Sequence, residues 1–161
     1  MCRDLARAVR YSVIFPGKAL RTVSERSTPT LSLRLPAVPG AASDARRAVH
    51  AVATGQVEDG YAVALAVSEA VANVVVHAYR NRAQGAVPGD VHVTVSVEPD
   101  ELLVVVADRG VGMTARLDSP GAGLGLRIIA TLADRFEVQQ LSGGTRVVLG
   151  FRRTAVSEAA S

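Results

Sequence analysis

Residues 65–80, LAVSEAVANVVVHAYR, decide how this chain is read. Apolar residues recur at three- and four-residue steps, which predicts a helix running from about Glu58 to Tyr79, with Glu58 and Asp59 favourably placed at its first turn. Glu69, Asn73 and His77 nevertheless stand four apart, and on an α-helix that spacing lines them up in a stripe about 80° wide. An ordinary solvated face would mix Lys and Arg with acids. Between residues 60 and 79, Glu69 is the only charged side chain, and Ala62, Ala66 and Val76 keep the surroundings small and dry. Such a face reads as the wall of a cleft. There a carboxylate and an amide need partners, since leaving either unpaired costs about 1–3 kcal/mol. Magnesium takes oxygen ligands and keeps several waters, so Asn73 is a candidate ligand for it, with Glu69 one turn earlier placed to orient or deprotonate a nucleophile.

Working outward, LSLRLP (31–36) alternates as a first strand, and PGAASDARRAVHAVAT (39–54) follows as a helix with Ser43 or Asp44 as its cap and Gly55 at its exit. The breaker-rich RNRAQGAVPG (80–89) leads into DVHVTVSVE and ELLVVVAD, a hairpin turning at Pro99 and Asp100. The helix LGLRIIATLADRF and the strands FEVQQLS and GTRVVLGF close the domain around Gly143 and Gly144. Five mostly antiparallel strands with three helices on one face predict an α+β, two-layer α/β sandwich.

Three further segments carry chemistry. VVVADRGVGM (104–113) ends a buried strand on Asp108, a fixed carboxylate able to accept from an exocyclic amine such as that of adenine; Gly110 and Gly112 allow a flat ligand close to the backbone. The alternative is a plain Asx turn. PGAGLGLRII (120–129) opens a helix with Gly121, Gly123 and Gly125, leaving free amide N–H groups suited to phosphate. Its G-x-G-x-G spacing and the lack of a following lysine disfavour a dinucleotide fingerprint or a P-loop. GGTRVV (143–148) starts a strand with Thr145, by itself a weak signal.

Taken in this order, the four segments resemble the GHKL ATPase superfamily, the ATP-binding (Bergerat) fold shared with histidine kinases and gyrase B. Within it the chain is most similar to the bacterial anti-sigma-factor serine kinases, over about residues 31–151. SEAVANVVVHAY is similar to the N box, which implies Glu69 as general base, Asn73 as magnesium ligand and His77 near the phosphates. DRGVGM resembles the G1 box, implying that Asp108 receives the adenine amine and that Gly110 and Gly112 make room for the ring. GAGLGL resembles the G2 box, implying nucleotide contacts from Gly121, Gly123, Gly125 and Leu126, and GTRVVLGF implies that Thr145 helps Asp108 hold adenine through water. The implied activity is ATP- and magnesium-dependent phosphorylation of a serine on an anti-sigma-factor antagonist by a protein that also binds a sigma factor. Homodimerisation is common in such proteins. One departure stands out: the arginine that commonly lies in the lid just before the G2 glycines is replaced by Gly121, and the lid, about residues 113–120, is short. A nucleotide-binding regulatory module without catalysis is the alternative.

Composition bounds the rest. At 161 residues, 48% apolar and 20% charged, the chain suits one globular domain. A single cysteine, Cys2, provides neither a disulfide framework nor a thiolate zinc site and suits a reducing cytoplasm. Residues 1–34 carry seven Lys and Arg against Asp4 and Glu25, a net +5, which leaves −2 of the total +3 for the remainder. The basic balance therefore belongs to the N-terminal segment and does not point to nucleic acid. Residues 1–30 are expected to be a mobile basic extension, with an amphipathic contact to a membrane or partner as the alternative; residues 31–152 form the ATP-binding kinase domain, and 153–161 a frayed tail. No run approaches the roughly 20 apolar residues of a membrane span.

Overall fold

The computed structural model describes residues 9–13, 28–79, 87–111 and 123–154. The strands β1 (Val9–Val13), β2 (Leu31–Pro36), β3 (Asp90–Val97), β4 (Glu101–Asp108), β5 (Arg135–Leu141) and β6 (Gly144–Arg152) form one sheet in the order β1-β5-β6-β4-β3-β2, every pair antiparallel. The helices are α1 (Gly40–Ala53), α2 (Gly60–Asn73), a π-helical segment Val74–Ala78 continuing α2, and α3 (Gly123–Leu132). The two-layer α+β sandwich is the architecture expected.

Alternation explains the layering. Along β3, Val91, Val93 and Val95 point into the core, while the residues between them are partly exposed. On β4, Leu102, Val104 and Val106 join them, and the helices contribute Val49, Val63, Val67, Val71 and Ile129, all without measurable exposure. The continuous helix Gly60–Ala78 is long and apolar enough to cross a membrane by length and composition alone. Here it is the core helix, packed between α1 and α3 with the buried side of its apolar surface against the sheet.

Four expectations are corrected. The sheet has a sixth strand: residues 9–13, expected within a mobile extension, pair with Phe136–Gln140 of β5, from Val9 opposite Gln140 to Val13 opposite Phe136. Without β1, β5 would be an edge strand with unpaired backbone groups, and the sequence VRYSV has the composition to fill that edge. The second correction concerns α1, which starts at Gly40 after Pro39 with no side-chain cap. Ser43 and Asp44 instead bond Arg47 within the helix, at 3.0 and 2.5 Å. Third, Asp59 is not inside the long helix but caps it, accepting from the N–H groups of Tyr61 and Ala62 at 2.9 and 3.0 Å. Fourth, the tail is not frayed from Arg153 onward. The Arg153 guanidinium donates to the carbonyls of Glu98 and Pro99 and to Gln56 Oε1, and the Thr154 N–H donates to the Gln56 carbonyl at 3.0 Å, tying the α1–α2 turn to the β3–β4 hairpin.

The β5–β6 turn needs glycine. Gly144 sits at φ +147°, and a Cβ there would overlap the Asp108 carbonyl oxygen. Gly144→Ala is expected to lower stability by well over about 1 kcal/mol, read as a drop in thermal midpoint; an unchanged midpoint would contradict this packing.

Candidate functional site

Three elements converge at one end of the helical layer. Glu69 and Asn73 lie one turn apart on the last part of α2, both half-buried. The first turn of α3 crosses this face at Gly125, where an added Cβ would lie 3.1 Å from Glu69 Oε2 and 3.4 Å from both polar atoms of the Asn73 amide. Glycine is thus what lets the α3 N-terminus, with its unsatisfied N–H groups, approach the carboxylate and the amide. Leu126, the next residue, turns its side chain into the core at 2% exposure, so a contact from it to a ligand would have to come from the backbone.

Neither polar side chain is used by the fold. Among the described residues, Asn73 Nδ2 is buried without any hydrogen-bond partner, and Glu69 makes no hydrogen bond or ion pair. Native structures rarely leave such groups unmet. Gly125→Ala keeps the fold but presses on Glu69, and is expected to weaken ligand binding while moving the thermal midpoint little; ligand affinity unchanged from wild type would contradict the convergence.

His77 stands apart from this pair. The helix widens to π geometry immediately after Asn73, so residue 78 rather than 77 is hydrogen-bonded back to Asn73, and the four-residue register expected for His77 is lost. His77 forms no hydrogen bond or ion pair among the described residues.

The second half of the site is the end of β4. Register places Asp108 directly opposite Thr145 on β6, and the two are the only polar side chains below a tenth exposure among the described residues, at 5% and 1%. The Asp108 carboxylate receives the Gly110 N–H at 2.8 Å and the backbone N–H of Thr145. Burial pushes its carboxyl above the ordinary carboxylate range, and these two bonds offset that only in part. Gly110 has a structural reason besides the one expected. The space a side chain would fill is occupied by the Ala78 carbonyl, which accepts the Val111 N–H at 2.8 Å. Gly110→Ala must displace that backbone, at about 1–3 kcal/mol, visible in thermal denaturation. Gly112, Gly121 and the lid lie outside the described residues.

Sequence reasoning missed Tyr79. Its hydroxyl donates to the Asp90 carbonyl at 2.6 Å and accepts the Arg109 N–H at 3.3 Å, and its ring occupies the place a side chain on Gly89 would take. The order aromatic, breaker-rich loop, glycine was visible; the pairing across the loop was not.

The donor set suits a magnesium nucleotide. An uncommitted amide and carboxylate face the open first turn of a helix, a buried acceptor lies at the strand end, and no group of three or more His, Cys, Asp or Glu able to cage a metal occurs among the described residues. Magnesium held by one or two protein oxygens needs no such cage.

Comparison with known proteins gives the family. The profile of the histidine kinase-like ATPase domain matches residues 35–151. An anti-sigma F factor of Clostridium beijerinckii is 32% identical over 107 residues, covering 59% of this chain and 72% of the relative. One from Pasteuria penetrans is 34% identical over 93 residues, covering 51% of this chain and 60% of the relative. The crystal structure of the RsbU and RsbW domains of a Mycobacterium tuberculosis protein superposes with a TM-score of 0.55 at 23% identity; it covers 78% of this chain, which spans about a third, 33%, of that longer one. By the extent of that match, residues 35–151, the chain belongs to the histidine kinase-like ATPase domain family.

Proposed function

We propose that this protein is an ATP- and magnesium-dependent anti-sigma factor and serine kinase. It would bind a sigma factor and phosphorylate a serine on the antagonist that releases that factor, in keeping with the name its relatives bear. The observation that carries the reading is the convergence of the α3 N-terminus on an unpartnered Asn73 amide and an uncommitted Glu69 carboxylate.

The roles follow from position. Asp108, backed by Thr145, accepts from the adenine amine. The N–H groups opening α3, at Gly123, Gly125 and Leu126, hold the phosphates, and Gly121 precedes them in the chain. Asn73 would hold magnesium through its amide oxygen, and His77, set off from the pair by the π geometry, would have to reach the phosphates from the π-helical segment beyond it. Magnesium, when bound, neutralises charge on the transferring phosphate. Glu69 takes the proton from the serine hydroxyl as its oxygen bonds to the γ-phosphorus and the bond to the bridging oxygen breaks, releasing ADP, and most of the acceleration comes from holding donor and acceptor in line.

The test is incubation of the purified protein with labelled ATP, magnesium and candidate antagonists from its own genome, with Asn73→Ala as control. Label passing to one antagonist, and lost in the control, is the expected result. ATP retention with no transfer to any of them would instead favour a nucleotide-gated binding module without catalysis. The glycine at position 121, where such kinases commonly carry an arginine, is the observation on that side.

A further inference from the structure

The segment that follows Asp108 spends every one of its next three backbone N–H groups on a specific acceptor. Arg109 N–H goes to the Tyr79 hydroxyl at 3.3 Å, Gly110 N–H to Asp108 Oδ1 at 2.8 Å, and Val111 N–H to the Ala78 carbonyl at 2.8 Å. Two of the three acceptors are consecutive residues at the end of the π-helical segment. The Tyr79 hydroxyl also donates to the Asp90 carbonyl at 2.6 Å, so one oxygen joins the helix end to the beginning of β3 and the end of β4. The ring is seated against Gly89, which has no side chain to displace it.

The π geometry makes this junction. A π turn takes one more residue than an α turn, so residues beyond Asn73 are rotated relative to an α continuation. That rotation carries the Ala78 carbonyl onto Gly110 and the Tyr79 hydroxyl onto Arg109. π-helical turns are rare and concentrate at functional sites. Here the turn begins one residue after the proposed magnesium ligand and ends on the loop that holds the proposed adenine acceptor.

We propose that Tyr79 is a positioning residue for nucleotide selection. Through its hydroxyl it fixes the Arg109–Val111 turn, and with it the Asp108 carboxylate, at a set distance from Asn73, so that the base and the phosphates of one nucleotide are engaged together. The proposal rests on the nucleotide reading above and adds to it a residue that touches no ligand. Tyr79 acts through Asp108, and its contribution therefore appears only for a base that Asp108 can recognise.

The experiment compares Tyr79→Phe with the wild type for two nucleotides, ATP and purine riboside triphosphate, which lacks the 6-amino group. Affinities are measured with magnesium by calorimetry. The wild type should prefer ATP. Tyr79→Phe keeps the ring and should lose about three- to tenfold in ATP affinity, the size of one hydrogen bond, with less than a twofold change for the amine-free analogue. Equal weakening of both nucleotides would make Tyr79 merely structural and overturn the proposal, as would no weakening of either. A wild type that binds neither, or binds both alike, would overturn the adenine reading itself and this proposal with it. Should the variant fold poorly, amide hydrogen exchange on the wild type decides: the Arg109 N–H is expected to be protected although it lies at the surface, and fast exchange there overturns the proposal.

Discussion

Glu69→Ala is expected to lower serine phosphorylation by about 10²- to 10⁴-fold, the contribution of a well-placed general base, while nucleotide binding stays within a few-fold of wild type. The separation arises because Glu69 carries no structural bond: it makes no hydrogen bond or ion pair among the described residues, and the backbone of Gly125 comes so near that a side chain there would meet its carboxylate. Removing it leaves the Asn73 amide, the α3 N-terminus and Asp108 in place. Single-turnover transfer from labelled ATP, with nucleotide retention measured in parallel, reads both quantities. Transfer at the wild-type rate would remove Glu69 from the reaction. Equal loss of transfer and binding would make it a ligand for the nucleotide rather than a base.

Asp108→Asn should have the opposite profile, weakening ATP by about 10- to 100-fold, the worth of a hydrogen bond to a charged acceptor in a buried site. A stability signature accompanies it. Burial raises the Asp108 carboxyl above its unfolded value, so the native state holds its proton to higher pH than the unfolded chain does. By linkage, stability falls as pH rises through the interval between the unfolded value and the raised one. The ligand-free wild type is therefore expected to gain stability relative to Asp108→Asn as pH is lowered through that interval. Denaturant titrations across mildly acidic pH test the sign, and a gap that widens in the variant's favour on acidification would refute the account. The carboxylate is thus kept at a cost to the empty protein, as expected of a group held for a ligand.

Asp108, Thr145, Glu69 and Asn73 were all legible as candidates in the sequence, for separable reasons. Asp108 ends an unbroken apolar run, Thr145 begins the last strand, and Glu69 and Asn73 interrupt a helix otherwise without charge. The structure adds their grouping, Asp108 with Thr145 by strand register and Glu69 with Asn73 under Gly125. Gly110 was legible as a glycine position, but this packing cause was not, because the Ala78 carbonyl that fills its side-chain space lies more than thirty residues away in the chain.

By itself the sequence determined five of the six strands and the three helices, that the sheet is antiparallel and covered by helices, and where the polar residues interrupt apolar faces. Those properties follow from periodicity, turn residues and hydrophobic pattern, all of which act over a few neighbouring residues. Only the tertiary structure decided that the long helix opens into a π turn after Asn73, that Tyr79 reaches Asp90 and Arg109, that α3 crosses α2 at Gly125, and that residues 9–13 complete the sheet. Each of these depends on a partner remote in sequence: a carbonyl drawn to Val111, an edge left open by β5, a helix start brought onto another helix. The free energy that selects such arrangements comes from burial and hydrogen bonding between elements, which no local pattern of residues contains.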